Sequence, residues 1–185
     1  MLKKRCLVIL FLLLVSVLNT YAQKTTIWIV RHAEKQTADG AMSNTDPDLT
    51  ADGDRRAHDL AAVLKNQKIA AVYSTPYKRT TSTGGPVAAA RQLKMASYIA
   101  KDYKAFATEI LQNYKGKEVL IVGHSNTIIP LAKAFKASVP FETFSDEDYD
   151  MLFKIVVDDD GMAKLNISNY GAPHHTTEIP AAFKL

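Results

Sequence analysis

Two short runs, Ile27-Trp28-Ile29-Val30 and Val119-Leu120-Ile121-Val122, are apolar at every position. A strand that is apolar on both faces has to be covered by helices on each side, the setting of a central parallel strand in an α/β fold. Each run stops at a histidine: the first enters Arg31-His32-Ala33-Glu34, the second Gly123-His124-Ser125-Asn126. In open α/β sheets ligands bind just beyond the carboxyl ends of the strands. Two histidines delivered to that edge can face each other across one pocket.

The rest of the chain alternates in the same manner. Thr50 reads as an N-cap with Asp52 and Asp54 in the first turn, and Ala57, Leu60, Ala61 and Leu64 give helical spacing up to about Asn66. Ile69 to Tyr73 is a further strand that stops at Ser74-Thr75-Pro76 and turns into a helix carrying Arg79. Gly84-Gly85-Pro86 interrupts that helix, as a kink or a boundary, before Val87 to Leu93 resumes it. Asp102 caps an amphipathic helix with Phe106, Ile110, Leu111 and Tyr114 on one side, closed by Gly116. Pro130 to Phe135 continues as a helix after the second histidine, and Asp146 to Met151 is an acidic turn or short helix. Leu152 to Val157 and Ala163 to Ile167 form a hairpin, with Asp160-Gly161 supplying the positive φ angles of a tight turn. The predicted fold is α/β: a three-layer α/β/α sandwich around a mixed, mostly parallel sheet.

Residues 1–22 read as a secretory signal peptide: Lys3, Lys4 and Arg5, then an apolar stretch from Leu7 to Leu18, then Thr20-Tyr21-Ala22. The apolar stretch is short of the roughly 20 residues that span a bilayer, and the single cysteine, Cys6, stands at its start. The expectation is an exported, periplasmic or secreted protein with no membrane attachment after cleavage, a retained membrane anchor being the rival reading of the leader, and a single domain over 23–185. Of 23 basic and 19 acidic residues, three basic ones fall in the leader, leaving 20 against 19. That balance excludes the basic footprint of a nucleic-acid binder. An anionic ligand would be held by local cations.

A neutral histidine fixed in one tautomer can attack phosphorus where nearby groups neutralise the phosphate charge. Arg31 beside His32, and Arg79 after Ser74-Thr75-Pro76, suit that task because guanidinium pairs with phosphate oxygens through parallel hydrogen bonds. Three strand ends thus supply two arginines and two histidines, the inventory for moving a phosphoryl group to histidine. Asn126 either donates to the phosphate or satisfies its own loop. An ester substrate also wants a carboxylic acid with a raised pKa. Asp148, Asp150 and Glu34 are candidates for it and Asp102 a distant fourth, against bland readings as surface, turn or cap residues. His174-His175 reads as surface tail, His58 as a helix surface residue, and Asp158 to Asp160 as a turn; none suggests a metal site.

In order and spacing these motifs resemble the histidine phosphatase superfamily, also called the phosphoglycerate mutase-like family. Its first motif, Arg-His-Gly-Glu in most members, reads Arg31-His32-Ala33-Glu34 here, and its second, Ser-Ser/Thr-Pro-x-x-Arg-Ala, reads Ser74-Thr75-Pro76-Tyr77-Lys78-Arg79-Thr80. The third, a strand followed by Gly-His, is Gly123-His124, and Leu49-Thr50-x-x-Gly53 matches the entry to the first helix. The resemblance implies a phosphoglycerate mutase-like fold, His32 as the residue that is phosphorylated, and Arg31, Arg79 and His124 as ligands of the phosphoryl oxygens. It implies a small phosphorylated substrate and neither a metal nor another cofactor. Ala33 replaces the usual glycine, Ser82 stands where many relatives have Glu or Gln, and Ala38 stands where mutases have a phosphate-binding Asn. The last two departures point away from a mutase and leave the general acid without a match.

The leading expectation is therefore an exported, metal-independent phosphatase acting on phosphate monoesters or phosphoramidates through phospho-His32. Its rivals are mutase-type phosphoryl transfer and a noncatalytic anion- or partner-binding domain on the same fold. Within the resemblance, short phosphohistidine phosphatases manage without a strong acid. Members with Gly-His-Ser-Asn-Thr, matched by Gly123 to Thr127, suggest envelope sugar phosphates.

Overall fold

In a computed structural model, residues 23–37 and 46–185 are described. The expected leader and Ala38 lie outside these residues. The first apolar run becomes β1 (Thr25–Arg31) and the second β4 (Glu118–Gly123), paired in parallel with Arg31 opposite Gly123. As its composition requires, β1 is buried on both faces. Ile27 and Ile29 pack with Phe106, Ile110, Ile128 and Leu131, while Trp28 and Val30 pack with Leu60, Leu64 and Val87. Each such side chain withdrawn fully from water stabilises the fold by about 1.5–3 kcal/mol.

The described sheet has six strands in the order β3-β2-β4-β1-β5-β6, with β2 at Ile69–Ser74, β3 at Ala96–Ser97, β5 at Met151–Val157 and β6 at Ala163–Asn169. The four strands from β3 to β1 are parallel, and β5 and β6 add an antiparallel hairpin beyond β1. Helices α1 (Ala51–Val63) and α2 (Lys78–Ala89) supply Leu60 and Val87 to one face. Helices α3 (Tyr103–Asn113) and α4 (Ser125–Ala134) supply Ile110 and Ile128 to the other. This is the expected three-layer sandwich. No helix among the described residues is long and apolar enough to cross a membrane.

Two local expectations change. The Gly84-Gly85-Pro86 stretch does not break its helix: α2 runs through it with Pro86 inside. Gly84 is where the helix presses on the sheet, since a Cβ there would lie 3.2 Å from Val72 Cγ1, 3.3 Å from Val122 Cγ2 and 2.8 Å from Met95 Cε. Packing against β2 and β4 holds the segment despite the missing proline donor. The β5–β6 hairpin forms, but only Gly161 has positive φ, and a wider loop closes through Asp158 N to Met162 O at 3.0 Å. Asp158 Oδ1 also accepts the Met162 amide at 2.8 Å.

Thr50 caps α1 as expected, accepting the Gly53 amide at 3.0 Å. Gly53 is required by contact rather than by φ: a Cβ would meet the Glu34 carbonyl oxygen at 2.1 Å. That carbonyl accepts the Thr50 amide at 2.9 Å, so it cannot withdraw without losing the cap. Gly53→Ala is expected to destabilise the fold by about 2 kcal/mol, the scale of overpacking in a fitted site. A melting temperature unchanged from wild type would contradict this account.

Candidate active site

Pairing of β2, β4 and β1 brings three strand ends side by side, and the three motifs with them. The His32 amide donates to the Gly123 carbonyl at 2.9 Å, tying the first motif directly to the third. The His32 and His124 ring centroids are 5.3 Å apart at 66°. Arg31, His32, Arg79 and His124 line one cleft of about 700 Å³, with Ser125 and Asn126 from the first turn of α4. Asn126 is exposed at its edge.

His32 is only 4% exposed, and its Nδ1 lies 2.8 Å from the Ala33 carbonyl oxygen. A carbonyl can only accept, so the ring proton sits on Nδ1 and Nε2 keeps its lone pair. Burial pushes the His32 pKa down to about 3; the bond to Ala33 opposes the shift, while Arg31, His124 and Arg79 add to it. The ring is thus neutral at ordinary pH, as a nucleophile must be. Burial, then Arg79 and Arg31, push His124 down to about 4.

His124 is oriented by a residue that the motif contains but sequence reasoning did not single out. Thr75 Oγ1 lies 2.8 Å from His124 Nε2, and Thr75 is steadied by Thr80 Oγ1 at 3.0 Å. Thr83 does similar work for the first motif, accepting the Ala33 amide at 2.9 Å while donating to the Arg79 carbonyl at 2.7 Å. Gly123 keeps the third motif tight: a Cβ would lie 2.6 Å from Thr127 Oγ1, the atom that accepts the His124 amide at 2.7 Å.

The two arginines differ. Arg31 Nη1 donates to the carbonyls of Ser145, Asp146 and Asp148 at 3.1, 3.0 and 3.3 Å, and its guanidinium lies 3.9 Å from the Tyr149 ring centroid. Half of this group therefore fastens the turn before β5. Arg79 lies over the Tyr77 ring at 4.4 Å, and its Nη1 is 3.6 Å from Asp46 Oδ1. Arg79 Nε and Nη1 and Arg31 Nε are buried and make no hydrogen bond to any described residue. Buried donors without acceptors are costly, and a phosphoryl group's oxygens would satisfy them.

The sequence profile of the histidine phosphatase superfamily (branch 1) matches residues 27–100, the stretch carrying Arg31, His32 and Arg79. Over those residues the chain is similar to that superfamily. Solved structures give the same fold. A mycobacterial glucosyl-3-phosphoglycerate phosphatase superposes with a TM-score of 0.63 at 12% identity, covering 81% of this chain and 100% of its own. The protein histidine phosphatase SixA, solved with tungstate, gives 0.60 at 21% identity, covering 78% and 96%. A SixA-like putative phosphohistidine phosphatase from Agrobacterium tumefaciens gives 0.53 at 19% identity, covering 80% and 98%. No curated protein sequence matches the chain.

Within this fold, the carboxylates expected as acids are engaged in other work. Asp148 and Asp150 are not surface residues; both are fully buried. Asp148 accepts the Ser145, Thr176 and Thr177 amides at 2.9, 2.8 and 3.1 Å, and the Thr177 hydroxyl at 2.5 Å. Burial would raise its pKa, but these donors outweigh burial and hold it below the usual carboxylate range. Asp150 accepts from Asn169 Nδ2 at 3.0 Å and the His174 amide at 3.0 Å, and pairs with His175 Nδ1 at 2.7 Å. His175 is thus partly tied down, and His174 Nδ1 meets the Glu147 carbonyl at 2.7 Å. Glu34 grips Arg56 Nε and Nη2 with both oxygens at 2.7 to 2.9 Å. Burial opposes its ionisation, but Arg56 prevails and lowers its pKa. Asp102 caps α3 by accepting the Ala105 amide at 2.9 Å, and Ser82 is exposed on α2. Among the described residues no cluster of three or more His, Cys, Asp or Glu could hold a metal.

Proposed function

We propose that this chain is an exported phosphatase that hydrolyses phosphate monoesters or phosphoramidates through a phosphohistidine on His32, without a metal. The observation that carries the reading is the His32 ring, neutral and fixed with its Nε2 lone pair free, in a cleft shared with Arg79, Arg31 and His124. In the reaction Nε2 attacks phosphorus and the bond to the leaving group breaks. Arg79, the free side of Arg31, and His124 hold the phosphoryl oxygens where charge accumulates, a task for preorganised donors. Water then attacks phosphorus, releasing phosphate and returning the electron pair to Nε2.

The leader composition supports export, and the phosphatase names carried by the structural neighbours support hydrolysis over transfer. The test uses the mature protein and p-nitrophenyl phosphate with and without EDTA. Turnover should persist in chelator, and quenching with labelled substrate should trap acid-labile phosphate on His32. Label on His124, or an active enzyme that traps none, overturns the mechanism. Inactivity across a broad panel of phosphates would favour a binding domain.

A further inference from the structure

The first half of the reaction leaves a proton to be found for the departing oxygen, and Glu34, Asp148 and Asp150 are all held as anions or buried partners elsewhere. Among the described residues that line the cleft, Asp146 is the only acidic one. Asp46, nearby, accepts the Lys78 amide at 2.9 Å at the start of α2 and faces Arg79.

The turn that carries Asp146 is built rigidly. Arg31 Nη1 binds the carbonyls of Ser145, Asp148 and Asp146 itself, and the Asp148 carboxylate caps the turn at the Ser145 amide. The Glu147 amide donates to Ser145 Oγ at 3.2 Å. Against this fixed backbone the Asp146 side chain is 90% exposed, with Oδ1 3.5 Å from Arg31 Nη2. It is anchored in place and free to turn.

Building on the phosphatase reading above, we propose that Asp146 is the proton donor to the leaving group. Arg31 Nη2, which faces Asp146, is a nitrogen that an incoming phosphoryl oxygen would also seek. Binding of the phosphate sets a like charge beside Asp146 and competes for its cation. As the bond from His32 Nε2 to phosphorus forms and the phosphorus–oxygen bond breaks, the bond pair goes to the bridging oxygen, which takes the Asp146 proton. In the second half, water attacks phosphorus and gives its proton to the Asp146 carboxylate while the P–N pair returns to Nε2. The cycle closes with the acid restored.

Phenyl phosphate and p-nitrophenyl phosphate have nearly one shape but leaving groups of very different basicity. The readout is kcat/KM, which reports formation of the phosphoenzyme. Asp146→Asn should lower it about 100-fold for phenyl phosphate and less than about threefold for the nitrophenyl ester. Asp146→Glu should restore part of the phenyl phosphate rate. Because the side chain is exposed the fold should survive the change, and an unchanged melting temperature checks it. Equal losses on both esters, or no loss on either, overturn the assignment while wild-type turnover leaves the phosphatase reading standing. No His32-dependent turnover of either ester by wild type defeats that reading and this one together.

Discussion

His32→Ala should reduce phosphatase turnover on the order of 10⁴-fold or more, because it removes the atom on which the phosphoenzyme forms rather than one contact to the substrate. The fold should survive, since the backbone amide that ties residue 32 to Gly123 is retained. The same variant has a second signature in its stability. In the native state His32 stays unprotonated down to about pH 3, whereas in the unfolded chain an ordinary histidine takes up a proton near pH 6.5. Between those values the unfolded state binds the extra proton, so wild-type stability falls as pH drops from about 6.5 towards 3. His124, held down to about 4, contributes in the same direction. Alanine at position 32 removes the larger of the two shifts. Acidification from pH 7 to pH 4 should therefore cost His32→Ala less stability than wild type, measured by denaturant unfolding at each pH. Parallel losses in the two proteins would mean that the ring is not held neutral by the fold.

Arg56→Ala should be the most damaging single change outside the cleft, lowering stability by about 3–5 kcal/mol, the usual cost of stranding one member of a buried ion pair. Arg56 is 3% exposed and Glu34 12% at the side chain. Besides Glu34, the guanidinium donates to the carbonyls of Tyr170 and Ala172 at 3.0 and 2.9 Å. Its loss would leave a carboxylate and two carbonyls without their donors and release the segment after β6 from the first motif. Glu34→Gln with Arg56→Met should recover part of the loss, since an uncharged pair leaves no stranded ion. A loss below about 1 kcal/mol for Arg56→Ala would show that solvent replaces the pair freely. This role also explains Glu34 within the first motif: it anchors the loop that carries His32.

Much of the cleft was legible in the sequence because strand ends are local information. Apolar runs on both faces located β1 and β4, and residues 31–32, 74–79 and 123–124 then had to lie at the carboxyl edge of the sheet. The cap at Thr50, the cap at Asp102 and the β5–β6 hairpin followed from side-chain chemistry within a few residues. Where local punctuation misled, at Gly84-Gly85-Pro86, the reason was tertiary: a small residue was needed for contact between α2 and the sheet, and helix packing outweighed the missing donor.

By itself, then, the sequence determined the layer order, the central strands and the histidines and arginines that meet beyond them. The state of the carboxylates was decided only by the tertiary structure. Asp148 and Asp150 read as candidate acids in an acidic stretch, yet all their donors but the Ser145 amide come from residues 19 to 29 positions further on. Glu34 finds its cation 22 residues away. Asp146, two positions from Asp148, stands at the cleft because Arg31 holds its turn from 115 residues earlier in the chain. Whether a carboxyl group is spent or available depends on which donors surround it, and those donors are assembled only when distant segments pack together.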